Sequence, residues 1–218
     1  MDVDRIADQL RSDGFVAVEN ALQPSLLGRL DAGCNDRNAA HFAPSSVGRG
    51  AQRTRDDDVR GDVIRWLDGV NEADQAYLIV MEELRIALNE RLYLGLFSYD
   101  CHYAIYAAGR RYQRHLDSLN GQTNRLLSTV IYLHDEWTAA DGGELVLYRS
   151  GAVNPMARIL PEPGLMILFL SEEFPHEVLV ARKPRHSLAG WYRGRAPTHD
   201  SEGAQDAIAS TLPLENLR

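Results

Sequence analysis

Three residues in the second half of the chain carry donor atoms suited to a metal ion. His115 and Asp117 form a His-x-Asp pair, and His176 follows well downstream. Two imidazoles and one carboxylate on one side of a metal leave three positions open, which is the ligand set of non-haem Fe(II) oxygenases. The spacing has a geometric reason. Residues two apart in an extended segment point to the same side, so His115 and Asp117 can reach one ion while His176 arrives from another strand. Zinc hydrolases use a similar set, a His-x-Asp tripeptide also arises by chance, and His176 could be a hydrogen-bonded histidine at a strand start. Taken alone, the triad leaves metal and reaction open.

Arg185 is the fourth candidate. It begins the apolar run Arg185-His-Ser-Leu-Ala-Gly-Trp191-Tyr192. A guanidinium at the start of such a strand is costly to bury without an anion, and a bidentate carboxylate is its strongest common partner. The far carboxylate of 2-oxoglutarate fits that description. The competing reading is an ordinary surface arginine, since Arg182, Lys183, Arg193 and Arg195 lie nearby.

These residues need strands to hold them, and the second half supplies the pattern. Runs rich in β-branched and aromatic residues occur at 97–107, 126–133, 144–149, 157–160, 165–170, 177–181 and 185–193, separated by turn signals such as Asn120-Gly121 and Gly142-Gly143. Many short, evenly spaced strands indicate a sandwich or barrel, of which a jelly roll is one form. Helical spacing appears earlier, at 3–12, from Pro24 towards Cys34, and from Glu72 to about Leu94, with a short strand at Phe15–Val18. Helices first and strands afterwards predict an α+β fold with the helices on one outer face. The segment 35–59 is charged and weakly periodic.

Composition narrows the function. The 218 residues are 44% hydrophobic and 25% charged, enough for a sizeable core. A net charge of −8 argues against binding nucleic acid or anionic lipid. Two cysteines without a CxxC pattern, an acidic N-terminus without an apolar stretch and no long apolar run make a reducing cytoplasm the expected location, with no membrane partner.

The order of motifs then becomes specific. Tyr106-Ala-Ala-Gly109-Arg-Arg-Tyr112-Gln-Arg-His115-Leu-Asp117 resembles the YxxGxxYxxHxD signature of prolyl 4-hydroxylase-like Fe(II)/2-oxoglutarate dioxygenases. Ser128-Thr-Val-Ile-Tyr132, Trp137, Gly142-Gly143-Glu144-Leu145, Pro175-His176-Glu177-Val178 and the Arg185–Tyr192 run continue that order. The arginine is similar to the hypoxia-inducible-factor prolyl hydroxylases and their bacterial relatives, where collagen-type enzymes carry lysine. Arg60–Leu67 also resembles a segment of that subgroup. The stretch from Tyr106 to Tyr112 is one residue shorter than in the animal oxygen sensors, and Ala189 stands where they carry a hydroxyl residue.

The resemblance implies one dioxygenase domain over 1–218, with 1–96 mainly helical support and flap and 97–195 a double-stranded β-helix core. It implies iron ligands His115, Asp117 and His176, with Arg185 and Tyr132 on the 2-oxoglutarate C5 carboxylate. Tyr106 and Trp191 would line the pocket, and Asp62 and Trp66 would start a helix or hairpin near its entrance. It makes 47–57 a flap over the substrate. The activity it implies is hydroxylation of an unactivated C–H bond using Fe(II), 2-oxoglutarate and O2, with succinate and CO2 released and ascorbate a candidate reductant. The expected partner is a proline-containing protein or peptide. A small-molecule hydroxylase and a non-catalytic metal-binding module are the alternatives.

Overall fold

Side chains alternate between the two faces of a strand, so each long strand offers two different surfaces for burial. The computed structural model describes residues 1–35, 42–45, 56, 58–118 and 124–195. In chain order the elements are α1 (Val3–Asp13), β1 (Phe15–Val18), α2 (Pro24–Asn35), β2 (Ala43–Pro44), β3 (Asp62–Trp66), α3 (Glu72–Leu92), β4 (Ser98–Tyr106), β5 (Tyr112–His115), β6 (Arg125–Tyr132), β7 (Leu145–Leu147), β8 (Ala157–Ile159), β9 (Met166–Leu170), β10 (His176–Val178) and β11 (Arg185–Arg193). One antiparallel sheet runs β1-β9-β6-β11-β4-β3-β2, and a second runs β5-β10-β7-β8.

Alternation decides what each face of the large sheet meets. Cys101, Tyr103, Leu127, Ile131, Met166, Leu168, Leu188 and Tyr192 pack with Ile6, Leu10, Leu30, Met81, Leu84 and Leu88 of the helices. The intervening Ala104, Tyr106, Tyr132, Ile167 and Phe169 meet Leu145, Leu147 and Val178 of the smaller sheet. The result is a double-stranded β-helix with its helices on one outer face, the α+β arrangement expected above.

Local chemistry sets the helix ends. Asp2 accepts the Arg5 amide at 3.1 Å and Asn71 accepts the Asp74 amide at 2.8 Å, so α1 and α3 both have side-chain N-caps. Asp74 is itself fully buried, and it takes hydrogen bonds from Tyr103 of β4 at 2.6 Å and Arg65 of β3 at 3.3 Å. That carboxylate ties α3 to the sheet.

Three short strands, β2, β3 and β5, were not apparent in the sequence pattern. Of the helix or hairpin expected at 62–66, the structure has a strand, β3, pairing Asp62 with Tyr106 and Trp66 with His102. Pairing there covers the edge of β4, which would otherwise present unsatisfied backbone groups. The motif around Tyr112 forms β5, which carries the first candidate ligand. The proposed flap at 47–57, except Asp56, lies outside the described residues, as do the Asn120-Gly121 turn and everything after Arg195.

Gly190 sits at the centre of the large sheet, opposite Cys101 on β4 and Thr129 on β6. A Cβ at this position would lie 2.6 Å from the Cys101 Cβ and press on the Tyr99 hydroxyl. Tyr99 cannot easily yield, because its hydroxyl is tied to Tyr77 at 3.0 Å and Thr129 at 2.8 Å. Gly190→Ala should therefore lower stability by about 1–3 kcal/mol in urea unfolding followed by circular dichroism. An unchanged midpoint would show that the sheet relaxes around the added methyl.

Candidate active site

The pairing of β5 with β10 places His176 directly opposite His115. Their ring centroids are 4.2 Å apart. Asp117 reaches both: its Oδ1 is 3.8 Å from His115 Nε2, and its Oδ2 is 3.7 Å from His176 Nε2. One ligand atom from each of the three lies within 4.8 Å of the others.

Backbone carbonyls aim the imidazoles. His115 Nδ1 is 2.7 Å from the Gln113 carbonyl and His176 Nδ1 is 3.0 Å from the Phe174 carbonyl. A carbonyl only accepts, so each Nδ1 carries the hydrogen and each Nε2 keeps its lone pair on the Asp117 side. Tyr112 stacks on the His115 ring at 3.6 Å, and Phe169 sets its ring against His176 at 4.8 Å. Asp117 is positioned by Ser128, whose hydroxyl donates to Oδ2 at 2.6 Å and contacts the Ser171 hydroxyl at 2.9 Å.

The electrostatics suit a cation. Burial, and then neighbouring His176, push His115 down to about 3. Burial opposes charge on Asp117, yet His176, His115, Arg125 and the Ser128 hydroxyl hold its carboxyl below the usual range. At neutral pH His115 thus offers a lone pair and Asp117 a charge, with no proton to displace at either. Two Nε2 atoms and one carboxylate converge, so the residues present fit a facial divalent iron site.

Arg185 is only 1% exposed, which excludes the surface-arginine reading. Its Nε donates to the Gly143 carbonyl at 3.1 Å and Nη1 to the Ser187 hydroxyl at 3.3 Å. No carboxylate pairs with it among the described residues. Its guanidinium lies 4.8 Å from the Tyr132 ring centroid and 5.4 Å from that of Tyr106. The buried Tyr132 hydroxyl faces the Arg185 guanidinium and meets no other hydrogen-bond partner among the described residues. Gly143, at φ 72, lets the backbone close on Arg185, since a Cβ there would lie 3.3 Å from the Arg185 Cδ. A sealed cation and a phenol side by side would suit an anionic group.

The sequence candidates thus fall into two adjoining groups. His115, Asp117 and His176 make one, and Arg185, Tyr132 and Tyr106 the other. Trp191 lies further along the same face of β11, 5.4 Å from the His102 ring and beneath the Arg125 guanidinium at 3.6 Å. Asp62 is bound by Arg60 and Ser45, and Trp66 packs on His102 at 4.9 Å. Sequence reasoning overlooked Ser128 and His102. Counting back in twos from Tyr132 and Tyr106 reaches both, but only once the strands are known to share an inward face. A second cluster, Asp31, Cys34 and His186, lies on the helix side of β11. There His186 Nδ1 is 2.8 Å from Asp31 Oδ1, and burial, then Asp31, push the Cys34 thiol far up, so this cluster is a satisfied packing contact.

Comparison with known proteins agrees with this geometry. The sequence profile of the 2OG-Fe(II) oxygenase superfamily matches residues 101–193. The crystal structure of a Pseudomonas putida prolyl-4-hydroxylase is 36% identical, with a TM-score of 0.78 over 89% of this chain and 100% of that one. The chain belongs to the 2OG-Fe(II) oxygenase superfamily. Another oxygenase of this kind, a Trichoplax adhaerens prolyl hydroxylase solved with a hypoxia inducible factor peptide, is 28% identical with a TM-score of 0.76 over 88% of each chain. A 106-residue stretch is 34% identical to the prolyl 3,4-dihydroxylase OGFOD1 of Ostreococcus tauri, covering 43% of this chain and 20% of that protein. The match therefore spans about a fifth of that relative's length.

For the oxygenase fold, the buried histidines set an acid limit. Burial holds His102 and His115 at about 3 and His134 at about 4, against 6.5 when unfolded. The unfolded chain binds protons that the fold refuses, so stability is full above pH 6.5 and declines as pH falls towards 4. The slope is up to about 1.4 kcal/mol per pH unit for each histidine. Urea melts of the metal-free protein at pH 7 and pH 5 should show that decline, reduced by about a third in His134→Gln; a flat profile would contradict it.

Proposed function

We propose that this oxygenase is an Fe(II)/2-oxoglutarate-dependent prolyl hydroxylase acting on a proline-containing protein or peptide. The observation that carries the reading is the sealed Arg185, without a carboxylate partner among the described residues, in the same fold as a three-residue metal site and in a chain similar over most of its length to prolyl hydroxylases. His115 and His176 would hold the metal through Nε2 and Asp117 through its carboxylate. Bound there, Fe(II) with 2-oxoglutarate and O2 supplies the oxidation of an unactivated C–H bond to an alcohol, releasing succinate and CO2, with ascorbate the candidate reductant.

The chain's own part is placement. Arg185 and the Tyr132 hydroxyl hold the far carboxylate of 2-oxoglutarate, each charge-assisted bond contributing about 1.5–3 kcal/mol. Tyr106 closes the pocket wall and Trp191 lines the approach. Ser128 keeps the Asp117 carboxylate turned so that its oxygens face both histidines, and the surrounding apolar residues exclude water. A cytoplasmic location accords with the two free, buried cysteines.

The decisive experiment is an anaerobic Fe(II) titration with 2-oxoglutarate, following the visible charge-transfer band of the chelate. Wild type should develop the band, and Arg185→Ala should need about a hundredfold more 2-oxoglutarate. Tight zinc binding with no band would sink the dioxygenase reading. Proline peptides incubated with the loaded enzyme should gain about 16 Da, the mass of one oxygen atom. Ser128→Ala should weaken metal binding by about 10–100-fold, with Ser128→Thr retaining it. Equal affinity in all three proteins would show that Asp117 needs no support.

A further inference from the structure

His102 has no part in the reading so far, yet it lies at the centre of the inward face. It is 1% exposed, on the same face of β4 as Ala104 and Tyr106, and pairs with Trp66 of β3 and Ala189 of β11. Its ring lies 4.9 Å from that of Trp66 and 5.4 Å from that of Trp191.

Arg60 determines which nitrogen of His102 carries the hydrogen. The Arg60 guanidinium is held by both oxygens of Asp62, at 2.8 and 3.0 Å, and lies 3.4 Å from His102 Nε2. A guanidinium only donates, so Nε2 accepts and Nδ1 bears the hydrogen. Among the described residues that buried Nδ1–H has no partner, and neither has the indole Nε1–H of neighbouring Trp191. Two adjacent rings therefore each bury a donor that lacks an acceptor, a costly arrangement in a folded core.

The missing acceptor can be characterised. Arg60 and Arg125 flank the pair, which disfavours a cationic group. Asp62 and Asp117 also act on His102, which disfavours an anion. A neutral acceptor remains, and a carbonyl oxygen is the strongest of the common ones. The flat rings of Trp66 and Trp191 on either side suit a planar amide, and Trp66, 47% exposed, is the outer one.

We propose that His102 Nδ1–H and Trp191 Nε1–H donate hydrogen bonds to backbone carbonyl oxygen of the substrate, which makes that substrate an amide of the peptide class rather than a hydrocarbon or an amine. This deepens the hydroxylase reading and rests on it. His102 is then a specificity-determining residue that lies apart from the metal ligands and the 2-oxoglutarate pocket.

The test uses the full chain loaded with Zn(II) and 2-oxoglutarate, with its side-chain N–H signals observed by 1H–15N NMR. Trp191→Phe and His102→Phe assign the two signals. The probes are N-acetyl-L-proline methylamide and N-acetyl-L-alanine methylamide. The proline amide should shift both signals downfield, and His102→Phe should weaken its binding about tenfold. A response to the alanine amide alone would keep the carbonyl site and defeat the prolyl assignment. Hydrogen on Nε2 of His102, no shift with either amide, or unchanged affinity in His102→Phe would each overturn the proposal.

Discussion

The geometry depends on two strand registers being held at once. β10 must pair with β5 so that His176 stands opposite His115, and β11 must lie between β4 and β6 so that Arg185 stands beside Tyr106 with Ser187 opposite Tyr132. A slip of one residue in either would turn every side chain to the other face. In β11 it would send Arg185 and Trp191 into the helix layer and bring His186 and Leu188 inside. The helices guard against that slip, because Leu188 and Tyr192 are already committed to the apolar contact with α3 and its neighbours. Helix packing on one side of the sheet therefore fixes the chemistry on the other.

The inward face is correspondingly polar for a core. His176, Arg185, Ser187, His102 and Ser128 are all buried there. Groups whose partners are internal, such as Ser128 on Asp117 and Arg60 on Asp62, stiffen the site. Groups without partners among the described residues, the His102 and Trp191 N–H donors, weaken the fold. That division separates what holds the scaffold from what is reserved for ligands.

How much was legible in the sequence follows the same division. His115 and Asp117 were visible because the one-residue gap is a strand signature, and Arg185 because a charge opening an apolar run is out of place. The long strands and all three helices were visible by period. β3 was not, because a short strand near the sheet edge is decided by partners distant in sequence, here β4 and β2. β5 is four residues long and carries mostly polar side chains, too short for periodicity to register. Ser128 and His102 look like ordinary strand residues until pairing shows which way they face. The resemblance to prolyl hydroxylases supplied roles for Tyr132 and Trp191 that residue patterns alone could not.

The carbonyl anchors of the two histidines have one more consequence. Each imidazole is aimed by a peptide group two positions earlier in the chain, Gln113 within β5 for His115 and Phe174 in the turn before β10 for His176. Backbone oxygens persist through substitution, so the exposed side chain at 113 can vary without redirecting a ligand, while Phe174 is held by its own burial in the core. The donor geometry is insulated from drift in its surroundings. A scaffold wired in this way can acquire new rims and new substrates while its oxidising centre is inherited intact.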